Sequence, residues 1–286
     1  MPYLVCENGR YYPGKEFKEW TSVVMVAVRD MVPMKIVIGS GVVLYRSSMP
    51  YPYTYPEHRH VWYVRYTYAI LKNVLSPFAR LIWIQKVYGI EHIPRTGPAI
   101  VAFNHQSYFD FLCFTAICPR PVHFLSAEKF FSHVIWKYLM KFTGQIKVHR
   151  KEHDKHILHT TVLDHLKNGK IIGIFPEGTR ASDPIEMLHA FTGIAKYAID
   201  GQVPVIPVGI KGSHEVMSRG DKFPKFRKVI SFHIGVSVHF TEHYGKTLTK
   251  KEYRDATDQI MLEISRLSGK RYPHVGKIER DAKTAA

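Results

Sequence analysis

A histidine and an aspartate follow a short apolar run in the first half of the chain. The run is AIVAF at residues 99–103, and the segment NHQSYFD at residues 104–110 comes directly after it. A carboxylate that hydrogen-bonds an imidazole fixes its tautomer and raises its basicity, so that the imidazole can accept a proton from an alcohol. His105 and Asp110 would point apart on one regular helix. They can meet only if His105 lies in the turn before a helix that begins near Ser107.

Asp110 also has a purely structural interpretation. Ser107 and Asp110 have the S-x-x-D spacing of a helix capping pair, in which the side chains satisfy backbone N–H groups of the first turn. That role would account for the aspartate without any catalysis. The segment alone leaves both interpretations open.

A second polar segment, FPEGTR at residues 175–180, follows the apolar run that begins at Ile171. Its composition predicts a turn in which backbone N–H groups and the Arg180 guanidinium can converge on a phosphate. Pro, Glu, Gly and Thr are also ordinary turn residues, so the segment alone does not require a binding site. Arg150 supplies another guanidinium, after a short alternating segment.

These residues must be positioned by strands and helices, and the sequence indicates both. Three short apolar runs, at residues 99–103, 171–175 and 203–210, are bounded by Pro, Gly or Asn, as in strands buried on both faces. Segments with helical spacing separate them, so we predict an α/β fold with a mixed, largely parallel sheet flanked by helices. His105 then lies at the carboxyl edge of the sheet, where open α/β folds bind ligands.

Two further features refine this prediction. Thr249 and Glu252 form a capping box before the last helical segment. Pro204 and Pro207 interrupt the third apolar run, and proline cannot donate a hydrogen bond to a neighbouring strand. We therefore expect this strand to lie at a sheet edge or to be bulged.

Residues 61–90 combine apolar and aromatic side chains at helical spacing with interspersed Lys and Arg. Because Pro77 divides the pattern, we predict two short amphipathic helices that lie on a membrane surface. Packing against the protein's own core is the alternative. A spanning helix needs about 20 mostly apolar residues, and charged residues and prolines interrupt both candidate stretches. Residues 1–60 form an extension of unknown role, residues 91–270 the main domain, and residues 271–286 a polar tail.

The composition restricts the partners of the protein. The 286 residues carry a formal net charge of +16, which favours a polyanionic partner: nucleic acid, an anionic lipid surface or a phosphorylated substrate. Three cysteines without a CxxC pair fit neither a disulfide framework nor a zinc ribbon, and the histidines of residues 149–159 lack the further ligands of a metal site. We expect no metal. The first residues show no signal peptide pattern, which favours a cytosol-facing protein.

In their order along the chain, the NHQSYFD segment, Arg150, the FPEGTR segment and the run at residues 203–208 resemble the lysophospholipid acyltransferases. This glycerolipid acyltransferase family includes bacterial 1-acylglycerol-3-phosphate acyltransferases. The resemblance covers roughly residues 85–245. It implies a glycerol-3-phosphate acyltransferase-like fold, with His105 as general base and Asp110 as the group that orients it.

The resemblance also implies the substrates. An acyl thioester, of CoA or of acyl carrier protein, would donate a fatty acyl group to the free hydroxyl of 1-acylglycerol 3-phosphate, giving phosphatidate. The residues that would bind the glycerol phosphate of this acceptor are Arg150, Glu177, Gly178, Thr179 and Arg180. No metal or other cofactor is implied. The enzyme would act at the cytoplasmic face of a membrane, as a peripheral or monotopic protein on an anionic surface.

Two departures from the family leave the acceptor open. Many members carry an acid or amide where this chain has His149, and a cation often precedes the glycine that is Gly193 here, where the chain has Ala190, Phe191 and Thr192. Another lysolipid or a glycolipid is therefore the alternative acceptor. A non-catalytic basic protein that binds membrane or nucleic acid is the alternative from another class. It would make the paired motifs a coincidence, so we expect no nucleic acid partner.

Overall fold

The structure is a computed structural model that describes residues 4–7, 10–13, 36–39, 41–44, 62–128, 131, 138, 140, 143–148 and 154–277. The chain forms two units, Met1–Thr54 and Tyr55–Ala286. The first unit contains two antiparallel strand pairs. Strand β1 (Leu4–Glu7) pairs with β2 (Arg10–Pro13), and β3 (Ile36–Gly39) pairs with β4 (Gly41–Leu44).

The second unit is built around a seven-stranded sheet. Its strands are β5 (Ile84–Tyr88), β6 (Ala99–Phe103), β7 (Val122–Ala127), β8 (Ile146–Val148), β9 (Ile171–Ile174), β10 (Val205–Lys211) and β11 (Ile230–Ile234). They lie in the order β5-β11-β10-β6-β9-β7-β8, with β10 and β11 antiparallel and the other neighbouring pairs parallel. The predicted mixed, largely parallel sheet is confirmed.

Helices cover both faces of this sheet. They are α1 (Trp62–Ile82), α2 (Phe109–Ile117), α3 (Asp154–Lys167), α4 (Gly193–Asp200), α5 (Ser213–Val216) and α6 (Lys250–Ser268), with 3-10 turns at Ile90–His92 and Thr241–His243. Strand β6 is buried along its whole length because its side chains alternate between two cores: Val101 and Phe103 pack with α1 and α2, whereas Ile100 and Ala102 pack with α3, α4 and α6. The predicted capping box of Thr249 and Glu252 starts α6.

Helix α1 differs from the two short helices predicted for residues 61–90. It is one helix that contains Pro77, and residues 84–88 form an edge strand of the sheet. The missing N–H of Pro77 is tolerated because the helix is anchored on both sides of it: Ala79 is buried, and the Tyr68 hydroxyl bonds both the N–H and the carbonyl of Val122 at 2.9 and 3.0 Å. Within the described part of the chain, no helix has the length and apolar character needed to cross a bilayer.

The opposite face of α1 is exposed and apolar. This exposed stripe consists of Tyr66, Ile70, Val74, Phe78 and Leu81, each with more than half of its surface accessible. The residues recur at helical spacing, so they lie on one side of the helix.

Of the two alternatives expected for the strand with Pro204 and Pro207, the structure excludes the edge, because β10 lies in the middle of the sheet. Pro207 is accommodated at the point where the ladder with β11 ends, and its carbonyl accepts a hydrogen bond from Gly235 N at 2.8 Å. Beyond this point the segment that follows β11 forms a bulge. Val208 pairs with Ile234 and Val205 with Val238, so this segment has one residue more between the two pairs than β10 has. The irregularity expected from the prolines is therefore carried by the neighbouring segment.

Residues 271–277 belong to the predicted polar tail and are bonded to the rest of the domain. Together with Lys270 we call them the C-terminal segment. Arg271 N donates to Ile185 O, and Met187 N donates to Arg271 O, both at 2.9 Å. Tyr272 is buried. The segment is therefore bound to the loop that precedes α4, whereas residues 278–286 lie outside the described residues.

A buried ion pair on α6 fixes the C-terminal segment in place. Arg254 and Asp258 are almost inaccessible to solvent and lie 3.3 Å apart. Arg254 also donates to Ala190 O at 2.8 Å, and Asp258 accepts from the Tyr272 hydroxyl at 3.2 Å and from Gly276 N at 2.7 Å. The pair thus joins three parts of the chain.

We predict that Asp258→Ala lowers the free energy of unfolding by about 3–5 kcal/mol, because it leaves the Arg254 charge buried without its carboxylate. Glu263→Ala is the matched control, since Glu263 forms an exposed pair with Arg266 on the same helix and its loss should cost about 1 kcal/mol or less. Urea denaturation of both variants measures the difference. Equal effects of the two substitutions would contradict the assigned role of the buried pair.

Candidate active site

The two polar segments meet because the strands before them are neighbours. Strands β6 and β9 are parallel and adjacent, so the residues that follow them emerge at the same edge of the sheet. The imidazole of His105 stacks on the ring of Phe175, with 4.0 Å between the ring centroids. The structure therefore brings together the NHQSYFD and FPEGTR segments.

Asp110 organises the turn that carries His105. Its Oδ2 atom accepts hydrogen bonds from His105 Nδ1 at 2.9 Å and from the backbone N–H groups of Gln106 and Ser107 at 2.8 Å each. Helix α2 begins at Phe109, just after the predicted position, and Phe109 N donates to the Ser107 hydroxyl at 3.1 Å. One carboxylate thus bonds the backbone at the start of the helix, as the capping interpretation requires, and also bonds the imidazole, as the catalytic interpretation requires.

This network also determines the tautomer of a neutral His105. The Asp110 carboxylate is an acceptor for two backbone donors, so His105 Nδ1 must carry the hydrogen in the bond to Oδ2. The lone pair of the neutral ring then lies on Nε2. Asp110 is fully buried, while 15% of the His105 side chain is accessible, so the imidazole can reach a substrate and its carboxylate partner cannot.

A cavity of about 120 Å³ opens beside the imidazole. His105, Tyr108, Gly178 and Phe175 line it together with apolar side chains that include Phe111, Phe124, Leu125 and Met140. An apolar pocket with a basic nitrogen at its wall suits a substrate that has an aliphatic chain attached to a reactive carbonyl.

Glu177 lies behind the His105 turn and does not line the cavity. Its side chain is inaccessible to solvent, its Oε1 accepts from His105 N, and its Oε2 accepts from Leu188 N, both at 2.8 Å. Burial raises the pKa of Glu177 to about 8, while the two N–H donors act in the opposite direction. The resemblance assigned this residue to substrate binding, but the geometry makes it a brace between two turns.

The FPEGTR segment and Ala181, which follows it, hold the backbone N–H and carbonyl of His105. Glu177 accepts the N–H of His105, and Ala181 N donates to its carbonyl at 2.7 Å. The position of the imidazole is therefore fixed by the backbone as well as by Asp110.

Gly178 is required by the shape of this turn. Its φ is +66°, a region that favours glycine, and a Cβ at this position would lie 2.6 Å from a ring carbon of Phe191. Thr179 and Arg180 follow it and are partly exposed. The Arg180 guanidinium lies 3.7 Å from the centre of the Tyr108 ring. Arg150 lies outside the described residues.

Sequence reasoning missed several residues that position the site. Asn104 joins β6 to β10, since its side chain donates to Ile210 O at 3.0 Å and accepts from Ile210 N at 2.7 Å. Gln106 donates to Asp183 O at 2.8 Å. The polar side chains at the end of a buried strand were a signal for both, because buried amides need partners.

Lys270 had no such signal in the sequence. Its Nζ donates to Pro184 O, and burial lowers its pKa, opposed by the carboxylates of Glu177 and Asp110. The C-terminal segment thus brings a cation close to both buried acids. Across the described ranges, no group of three His, Cys, Asp or Glu side chains is arranged to hold a metal ion.

Comparisons with known proteins agree with this geometry. A family model described as Acyltransferase matches residues 85–211. The 1-acyl-sn-glycerol-3-phosphate acyltransferase of Bacillus subtilis (strain 168) is 26% identical over 204 residues, which cover 71% of this chain and 98% of that protein. The 1-acyl-sn-glycerol-3-phosphate acyltransferase alpha of Mus musculus is 26% identical over 196 residues, which cover 66% of this chain and 65% of that protein.

A solved structure confirms the fold. The crystal structure of the 1-acyl-sn-glycerophosphate (LPA) acyltransferase PlsC from Thermotoga maritima matches with a TM-score of 0.58 and 20% sequence identity, covering 73% of this chain and 82% of that one. The matched family region includes the His105 turn and the FPEGTR segment. Together with the relatives, these matches support assignment of the chain to the glycerolipid acyltransferase family, with O-acyltransferase as its enzyme class.

Proposed function

We propose that the enzyme transfers a fatty acyl group from an acyl thioester to the free hydroxyl of 1-acylglycerol 3-phosphate, giving phosphatidate for phospholipid synthesis. The observation that carries this proposal is the accessible imidazole of His105, bonded to buried Asp110 and placed at the wall of an apolar cavity. The names of the relatives support this acceptor. The donor is acyl-CoA or an acylated carrier protein.

His105 acts as the general base. Its Nδ1–H bond to Asp110 leaves Nε2 free to accept the proton of the acceptor hydroxyl as the hydroxyl oxygen attacks the thioester carbonyl. When the tetrahedral adduct collapses, the carbon–sulfur bond breaks and the imidazolium returns its proton to the thiolate. The Asp110 carboxylate stabilises the imidazolium that forms between these steps. The proposed reaction uses no acyl-enzyme, metal or other cofactor.

Two arginines bind the acceptor phosphate in this proposal. Arg180 is held over Tyr108, in the same turn as His105, and retains exposed surface. Gly178 and Thr179 contribute a turn that a phosphate can approach closely, and Arg150 provides the second guanidinium. Glu177 supports binding indirectly, by holding the backbone of the His105 turn.

The lipid substrates place the enzyme at a membrane. We propose that it binds the anionic cytoplasmic face as a peripheral or monotopic protein. The exposed apolar stripe of α1 and the net charge of +16 support this location, because amphipathic helices and basic surfaces bind anionic lipid together.

One observation favours a second acceptor class. Phe191 lies against Gly178 and leaves half of its ring exposed, at the place where the family often has a cation. An apolar ring at this position provides no charge for a phosphate. Another lysolipid or a glycolipid is therefore the alternative acceptor.

We predict that His105→Ala lowers kcat by about 10²- to 10⁴-fold, because it removes the general base. Asp110→Asn should also lower kcat strongly, and the double variant should be no worse than His105→Ala, because the two side chains act as a unit. Thiol release with 1-acylglycerol 3-phosphate measures these rates. His239→Ala, which removes an exposed histidine, is the control. A wild-type rate in His105→Ala would contradict the role of His105 as general base, whereas the absence of thiol release from the wild type would favour the non-catalytic alternative.

We predict that 1-acylglycerol 3-phosphate gives the highest kcat/KM in a panel of lysolipid and glycolipid acceptors offered with one acyl-CoA. Phe191→Arg should lower KM for the phosphate acceptor, because a cation then lies beside Gly178. Phe191→Leu controls for the loss of the ring. A preference for an uncharged acceptor would identify the alternative class.

We predict that Glu177 makes stability depend on pH. Its pKa is about 8 in the folded protein and near 4.5 when unfolded, so between these values the folded state binds more protons and loses stability as pH rises. Glu177→Gln cannot titrate, and it satisfies only one of the two N–H donors. The unfolding free energy of the wild type should therefore exceed that of Glu177→Gln by an amount that decreases as the pH rises from 4.5 to about 8. A constant difference across this range would show that Glu177 does not titrate in it.

A further inference from the structure

A loop between α5 and β11 has a surface that the proposed reaction does not use. This aromatic-basic loop, residues 218–229, carries Phe223 and Phe226, which are 80% and 79% exposed. They are the two most exposed large apolar side chains among the residues that the structure describes. The loop also contains one acid, Asp221, and five basic residues: Arg219, Lys222, Lys225, Arg227 and Lys228.

The exposure of the two rings is built into the structure of the loop. Lys225 N donates to Val216 O at 2.8 Å, and Lys225 O accepts from the Trp83 indole at 3.1 Å. The Phe226 ring stacks on Trp83 with 6.4 Å between their centroids. Because the backbone of the loop is tied down at these points, it presents Phe223 and Phe226 to solvent at a fixed place.

This place adjoins helix α1. Trp83 directly follows α1, and the exposed apolar stripe of that helix ends at Leu81. The loop and α1 therefore lie on the same side of the sheet, joined through Trp83. The Trp83 ring also packs edge-on against Phe109, 4.7 Å between centroids, next to Asp110 in the chain. Trp83 therefore contacts both Phe226 of the loop and Phe109, which adjoins Asp110.

The chemistry of the loop selects a lipid surface as its partner. Exposed aromatic rings among lysines fit the headgroup region of a bilayer, where rings insert and ammonium groups meet anionic lipid. The dry centre of a protein interface is depleted in lysine, so Lys222, Lys225 and Lys228 around the two rings disfavour a protein partner.

We propose that the aromatic-basic loop is a second bilayer contact, which works with α1 to hold the active-site side of the sheet against an anionic membrane. This inference extends the proposed membrane location but does not depend on which acceptor is used. A single helix in an interface can rotate about its axis, whereas two separate contacts define an orientation. The cavity beside His105 then keeps a constant relation to the lipid surface.

Co-sedimentation of the full chain with vesicles tests the proposal, using phosphatidylcholine mixed with phosphatidylglycerol and, separately, phosphatidylcholine alone. Phe223→Ala combined with Phe226→Ala should weaken binding to the mixed vesicles about tenfold or more, because two aromatic insertions are lost. Lys222→Glu combined with Lys228→Glu should weaken binding to the mixed vesicles about tenfold and leave binding to phosphatidylcholine unchanged.

Matched controls lie on α6, which packs on the opposite face of the sheet. Leu262→Ala removes an exposed apolar side chain there, and Lys250→Glu combined with Lys251→Glu reverses two exposed charges. Both should bind vesicles within about twofold of wild type. If the control charge reversal weakens binding as much as the loop variant does, net charge alone explains the attraction and the proposal is overturned.

Two other outcomes would also overturn it. One is unchanged vesicle binding in both loop variants. The other is unchanged vesicle binding together with slower acyl transfer from an acylated carrier protein but not from acyl-CoA. That result would make the loop a protein docking site. Acyl transfer in detergent separates this test from the proposed function. The loop variants should transfer acyl groups at the wild-type rate in detergent. An inactive wild type would refute the proposed reaction but would leave the vesicle-binding result unaffected.

Discussion

The site depends on a single oxygen atom, Asp110 Oδ2, that accepts three hydrogen bonds. A buried carboxylate is costly unless it accepts hydrogen bonds. His105 Nδ1 and two backbone N–H groups provide this compensation at Oδ2, while the buried Oδ1 atom accepts no hydrogen bond from the described residues. The three donors come from consecutive residues, so the chain must turn tightly around the oxygen. The same turn ends β6, starts α2 and leaves the imidazole at the cavity. The same hydrogen bonds therefore determine both the local fold and the geometry of the candidate site.

A second layer of contacts fixes this turn from behind. Glu177 joins the backbone of His105 to that of Leu188. The C-terminal segment forms hydrogen bonds with Ile185 and Met187, in the loop between the Glu177 turn and α4. Lys270 lies near the two buried acids, and its charge acts to lower the pKa of Glu177 against the larger effect of burial. The layer is made from parts of the chain that the family model does not cover as well as from the FPEGTR segment, since residues 270–277 follow its last matched residue. The region that the family model matches thus contains His105 and Asp110, and a segment outside it stabilises the turns that support them.

Local patterns in the sequence were sufficient for much of the fold. The buried strands, the capping box of Thr249 and Glu252 and the pairing of His105 with Asp110 follow from the chemistry of neighbouring residues, and the structure contains all of them. What the sequence could not reveal depends on contacts between distant residues. Pro77 stays within a helix because Tyr68 is anchored on β7. Pro207 lies in a central strand because the neighbouring segment after β11 forms a bulge. Glu177 braces a turn that only the sheet brings near it.

The position of the C-terminal segment in the chain has a consequence for biosynthesis. Residues 270–277 leave the ribosome long after the His105 turn and the Glu177 turn that they help to support, and domains begin to fold while synthesis continues. Strand β5 likewise can join the sheet only after β11, the strand it pairs with, has been synthesised. A nascent chain can therefore form the central parallel strands early but acquires a braced His105 turn only after α6 and the C-terminal segment have been synthesised. Premature termination in α6 would yield a polypeptide that contains every family motif and lacks the support that aligns them.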